Sequence, residues 1–248
     1  MLTALNTRRF VDLRLTPGSG SGSGGAGGAS RLYWGFAGTS WSPTPTSGRW
    51  EHEIDSRAAD GHDPVVDEGS LEVLENGDVL ERGQMVDPDR PALGCCDYEE
   101  LWRDEVLAGA GQRVSIVLET ADGIVVRVGR WCQGILKKEA REAMEEEEEE
   151  EEEERGGRMD EEKKKEEEKE EGEEGEEGEL GGRIGEKKRP GGGRVLAERW
   201  CDGKRVFAVE EREQVCASEV WEHEQELAMG QELHVAGTVW RVVERCSW

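Results

Sequence analysis

Apolar and polar residues alternate with a period of two along most of the chain, and the alternating runs meet at short turn-forming pairs. "SLEVLENGDVLERGQMV" (Ser70–Val86) carries two such runs on either side of Asn76-Gly77. Asn-Gly tolerates the positive φ angles of a tight hairpin turn, so this stretch predicts a β-hairpin. "RVSIVLETADGIVVRVGRW" (Arg113–Trp131) repeats the pattern around Asp122-Gly123, with Val114, Ile116 and Leu118 facing Ile124, Val126 and Val128. "VLAERWCDGKRVFAVEE" turns at Asp202-Gly203, and "ELHVAGTVWRVVERCSW" turns near Ala236-Gly237. Phe10, Val11, Leu13 and Leu15 fit a further strand in the Arg-rich, acid-poor opening segment, which also has a faint transit-peptide character. Tyr98–Val106 reads equally as a helical turn or a strand. No long amphipathic helix appears. Four hairpins with short turns predict an all-β protein, an antiparallel barrel or sandwich.

Two segments break the pattern. Gly18–Ser30 is a Gly/Ser tract of linker composition. Lys137–Gly193 is Glu/Lys/Gly low-complexity sequence with ten consecutive glutamates, and it offers too little apolar surface to offset the entropy of ordering. It follows directly on Ile124–Leu136, which reads as one strand with a bulge at Gly129, and it precedes the strand beginning at Arg194. The tract is therefore expected to be a disordered acidic insertion in a surface loop. Closure entropy grows only logarithmically with loop length, so such an insertion is tolerated.

Charge narrows the functional classes. The chain has 248 residues and a formal net charge of −26. Half of that charge lies in Lys137–Arg189 and half outside it, so removing the tract does not expose a basic protein. No basic stripe marks a nucleic-acid face, and no apolar run approaches membrane-spanning length. The six cysteines (Cys95, Cys96, Cys132, Cys201, Cys216 and Cys246) have no C-x-x-C spacing, and are expected as free thiols in a reducing compartment.

Candidate chemistry is sparse. Trp34, Phe36 and Gly38 alternate large and small residues in a way that suits a barrel end, the glycine allowing close backbone approach. Trp131 is expected as a buried aromatic, with Arg130 beside it exposed. "WEHE" occurs at Trp50–Glu53 and again at Trp221–Glu224, but in a strand Glu51 and Glu53 point away from His52, so no metal site is expected. His52, His62, His223 and His234 offer no evident haem ligand. No Ser-His-Asp set, phosphate-binding loop or dinucleotide fingerprint is present. The expectation is no enzyme, no cofactor and no metal.

Four strings, "YWGFAGTSW" (Tyr33–Trp41), "YEELW" (Tyr98–Trp102), "SIVLETADGIVVRVGRWCQGIL" (Ser115–Leu136) and "GTVWRVVE" (Gly237–Glu244), resemble the fungal Hrr-interacting protein family in order and spacing. That resemblance implies two tandem lipocalin-like (calycin) barrels, here residues 1–92 and 93–248. It also implies a cytoplasmic and in part nuclear protein without established enzymatic activity. Its implied partners are a casein kinase I and a protein-translocation subunit; a homodimer stays open. Relative to the family, the N-terminus looks short by about one hairpin, and the acidic tract is an addition. Ser56 and Ser70 follow an acidic residue three positions upstream, Glu53 and Asp67, and so resemble acid-primed casein kinase I phosphosites. The alternative function is a small apolar-ligand carrier, its barrel cavity lined by Trp34, Phe36, Trp131 and Trp240.

Overall fold

The computed structural model describes residues 1–18, 28–58, 65–86, 90–105, 113–138, 194–209, 214–215 and 217–248. Most of the expected Gly/Ser tract and nearly all of the acidic tract lie outside these residues, as do His62 and Cys216. Among the described residues, fourteen strands form two seven-stranded antiparallel sheets. The first sheet runs in chain order: β1 (Leu2–Thr3), β2 (Arg9–Gly18), β3 (Gly28–Thr44), β4 (Ser47–Asp55), β5 (Val65–Val73), β6 (Val79–Val86) and β7 (Cys95–Trp102). The second contains β8 (Val114–Glu119), β9 (Gly123–Val128), β10 (Trp131–Lys138), β11 (Arg194–Cys201), β12 (Lys204–Ala208), β13 (Glu232–Val235) and β14 (Thr238–Ser247). Its order is β12-β11-β10-β9-β8-β14-β13, so the last hairpin returns to pair beside β8. One short helix, α1 (Ala217–Glu222), follows β12.

All four predicted hairpins form. Three of their turns use the backbone freedom of the residues that signalled them: Gly77 has φ 86°, Asp202 and Gly203 have φ 50° and 72°, and Ala236 and Gly237 have φ 47° and 77°. Tyr98–Trp102 is strand. Ile124–Leu136 is not one bulged strand: Gly129, at φ 59°, and Arg130 form a two-residue turn, and Trp131 pairs with Val128. Both flanks are apolar, which hid the turn. Gly28–Ser30 belong to β3 rather than to a linker.

The sheets pack back to back. Val11, Leu13, Ala37 and Ile54 of the first meet Val117, Ile124, Val126, Ile135 and Ala197 of the second in one core. Each sheet then turns its other face to a separate core. This two-sided burial explains why "SIVL" and "IVV" read as continuous apolar runs rather than clean alternations. The first sheet curls far enough for Arg14 on β2 to reach Glu100 on β7, 2.9 Å away. Among the described residues, no ladder joins β1 to β7 or β12 to β13, so both sheets are open at their edges.

The acidic tract leaves and re-enters the second sheet at one place. Lys138 pairs with Arg194, and Lys137 with Val195. Replacing residues 139–193 with a four-residue turn is expected to keep cooperative unfolding. Three to four halvings of loop length, each about 0.6 kcal/mol, should add roughly 2 kcal/mol of stability. Loss of a single cooperative transition in urea would contradict this.

Candidate functional site

Alternation in the first sheet sorts its residues onto two faces. Val11 and Leu13 point to the second sheet, which leaves Phe10, Asp12 and Arg14 on the inner face. Register carries the set across the neighbouring strands: Asp12 lies opposite Phe36, Phe36 opposite Asp55, Gly38 opposite His52, and Trp50 opposite Asp67. Glu81 lies opposite Glu100 on the last pair. The inner face is therefore aromatic on one side and acidic on the other.

Phe10, Trp34 and Phe36 form the aromatic side. His52 stacks on Phe36 with ring centroids 4.1 Å apart, and Trp34 lies 4.8 Å from Phe36. Asp55 organises this group. It accepts hydrogen bonds from Trp34 Nε1 and the Arg57 amide, both at 2.8 Å, and its other oxygen lies 3.4 Å from His52 Nδ1. Burial alone would raise the Asp55 carboxyl, but His52, Arg57 and Trp34 outweigh it and hold the group below the ordinary aspartate value. The buried Nε2 of His52 has no hydrogen-bond partner among the described residues. Gly38 has to be glycine here: a Cβ would sit 1.9 Å from the Glu51 carbonyl oxygen, where β3 and β4 shift register.

Arg14 joins the two sides. Its guanidinium carbon lies 5.0 Å from the centroids of both Trp34 and Phe36, and it bonds Asp12 at 3.0 Å and Glu100 at 2.9 Å. On the acidic side, Tyr98 Oη lies 2.7 Å from Asp67 Oδ1 and 2.6 Å from Glu81 Oε1, while Trp102 Nε1 donates to Glu81 Oε2 at 2.7 Å. One phenolic proton cannot serve both carboxylates at once. Burial raises the Glu81 carboxyl above the ordinary glutamate value, against the hydrogen bonds of Tyr98 and Trp102. Burial and the two carboxylates push the Tyr98 hydroxyl far above the usual phenol value.

The second sheet's inner face is different in kind. Ile116, Leu118, Val125, Leu136, Trp240 and Val242 form an apolar core that Val215, Val220 and Leu227 close from above. Arg127 fastens the cover: its guanidinium lies 3.6 Å over Trp221, donates to the Val220 carbonyl at 3.0 Å and pairs with Glu224 at 2.8 Å.

The expected aromatic residues thus fall in three places. Trp34 and Phe36 share the first inner face, and Trp240 is buried in the second. Trp131 is only half-buried, at the seam between sheets, with Nε1 bonded to Glu105. Trp131 is therefore no core aromatic. It starts a strand after the Gly129-Arg130 turn and so sits at the rim. Ser56 is engaged by Gly35, whose amide donates to Ser56 Oγ at 3.0 Å. Ser70 is exposed on β5, while Asp67, three residues earlier, points to the opposite face and is held by Tyr98. The two "WEHE" strings differ as well. Glu51 and Glu53 do turn away from His52, and the second string ends α1, with His223 between Glu219 and Glu226. No group of three metal-ligating side chains occurs among the described residues. No disulfide joins the cysteines within them. No helix among them is long and apolar enough to cross a membrane.

Sequence reading missed Asp12, Arg14, Asp55, Asp67, Glu81, Tyr98 and Glu100. Their signal was phase: Asp12 and Arg14 share the face of Phe10, not that of Val11. A family model described as Protein HRI1 matches residues 1–244. The chain belongs to the HRI1 family. No curated protein and no solved structure matches it. Of the HRI1-family resemblance strings, "YWGFAGTSW" supplies the first inner face and "GTVWRVVE" the Trp240 core. "SIVLETADGIVVRVGRWCQGIL" supplies three strands of the second sheet.

Proposed function

We propose that this chain is a non-enzymatic protein-interaction module whose partner is a casein kinase I, with a protein-translocation subunit as a second partner. The reading takes the two sheets as calycin-like half-barrels and places the protein in the cytoplasm and in part the nucleus. The observation that carries it is the second inner face, filled by the chain's own Trp240, Val220 and Leu227 and closed by Arg127 on Trp221. A half-barrel plugged in this way keeps no room for cargo, so its surface is what it offers. Family membership points the same way. Apolar cargo is a poor fit to the first inner face as well, because Asp12, Asp67 and Glu81 are buried there.

The test is capture of purified casein kinase I by the immobilised full chain, beside the version lacking residues 139–193. Retention by both, surviving moderate salt, is the expected result. Retention only through the acidic tract would reduce the interaction to non-specific charge attraction. No retention would remove the reading.

A further inference from the structure

The seam between the sheets holds a cleft of about 430 Å³, bounded by Met1, by Leu2 and Thr3 of β1, by the Arg103–Glu105 segment after β7, and by Val128, Trp131, Gln133 and Arg199 of the second sheet. That volume lies in the range of small-molecule sites. Its chemistry is set by Arg199. With the Gln133 amide turned so that its nitrogen donates to the Val11 carbonyl at 3.1 Å, Gln133 Oε1 accepts from Arg199 Nε at 3.1 Å and Nη2 at 3.2 Å. Nη2 also donates to the Leu13 carbonyl at 2.8 Å. These bonds fix the plane of the guanidinium. They leave Nη1, with two N–H groups, without a hydrogen-bond partner among the described residues, and Arg199 makes no carboxylate ion pair among them. The nearest compensating charge, Asp12, is already engaged by Arg14 at 3.0 Å and by the Met1 amine at 3.3 Å. Burial pulls the Arg199 guanidinium below the usual arginine value, with Asp12 acting against it.

The other charges of the cleft are largely answered. Arg103 pairs with Asp78 at 2.7 Å, and Glu105 is bonded by Trp131 Nε1 and faces Arg130 at 3.6 Å. Asp104 is exposed at the rim. A single open guanidinium nitrogen, with Asp104 and Glu105 at the entrance, favours one negative charge over two. Trp131, Val128 and Leu2 supply apolar wall. We propose that this cleft binds a small organic monocarboxylate, its carboxylate on Arg199 Nη1 and its flat apolar body against Trp131. None of these residues belongs to the plugged inner face of the second sheet, so the site is independent of kinase binding.

Benzoate is the test ligand, benzamide its neutral counterpart, and the full chain the receptor. Nuclear magnetic resonance of the tryptophan indole N–H signals reads the site, the Trp131 signal being the one that Trp131→Phe removes. Saturable movement of that signal by benzoate at about millimolar concentrations, with benzamide at least tenfold weaker, is expected for so small a contact surface. Arg199→Lys, checked for unchanged thermal unfolding, is expected to weaken benzoate at least tenfold, because an ammonium cannot keep the bonds to both Gln133 and Leu13 that hold the charge in place. Equal response to benzoate and benzamide, or no saturable response of the Trp131 signal, would overturn the proposal. Unchanged affinity in folded Arg199→Lys would overturn it too. The comparison of the two ligands needs no variant, so a misfolded Arg199→Lys leaves the test intact.

Discussion

Trp240→Ala is expected to destabilise the protein by about 3–5 kcal/mol, as truncation of a fully buried large aromatic does. Trp240 is 1% exposed and lies at the centre of the second sheet's inner core. Its ring fits because Gly123 faces it without a side chain: a Cβ there would come within 2.5 Å of the ring. The strands around the ring are tied by ladders on both sides, β14 to β8 and to β13, so they have little freedom to collapse into the space left behind. Urea unfolding of the full chain measures the loss. A change under about 1 kcal/mol would mean that the cover over this face moves down to refill the cavity, and would make the plug less rigid than its contacts imply.

The second large effect is expected at Glu244. Its carboxylate, 3% exposed, accepts the backbone N–H groups of Leu5 at 3.1 Å, Asn6 at 3.0 Å and Thr7 at 2.6 Å, together with the Ser115 hydroxyl. The turn between β1 and β2 is thus wrapped around a side chain from the last strand. A register shift between Val242 and Glu244 in the pairing with β8 accompanies this placement. Glu244→Ala strands the backbone donors and is expected to cost about 3 kcal/mol. The pH dependence follows. Burial alone would raise this carboxyl, but Ser115, Thr7 and Asn6 outweigh it and hold it below the ordinary glutamate value. A carboxyl depressed in the folded state contributes stability that is complete above the unfolded value, about 4.3, and lost as pH falls through the folded one. Glu81 and Glu100, raised in the folded state chiefly by burial, act in the opposite sense. Glu244→Gln therefore isolates the first contribution. Its deficit relative to the parent is expected at neutral pH and should shrink below about pH 4. A deficit that stays constant across that range would assign the effect to packing rather than charge.

What was legible in the sequence is what local chemistry decides. Asn76-Gly77 and Asp202-Gly203 announced their turns because few other pairs accept those backbone angles, and the strands on either side followed. Gly129-Arg130 escaped because apolar residues continue on both flanks, where burial on two faces erases the alternation. The back-to-back packing of the sheets and the curl that brings Arg14 to Glu100 depend on residues far apart in the chain, and no window of sequence carries them. The acidic inner face was visible only as phase, in Asp12 and Arg14 beside Phe10. Glu81 and Glu100 were lost among the many glutamates of this chain. Trp131 looked like its neighbours Val126 and Val128 and differs because the turn puts it at a strand end.

The grip of Glu244 on Leu5–Thr7 also has a meaning in time. During synthesis the first sheet leaves the ribosome early and in chain order, each strand beside the one before. Its opening turn nevertheless waits for β14, the last of these fourteen strands in chain order, and so does β8, which pairs beside it. Until β14 emerges, the apolar backs of both sheets lack part of their seal. The nascent chain is thus at its most exposed just before β14 appears.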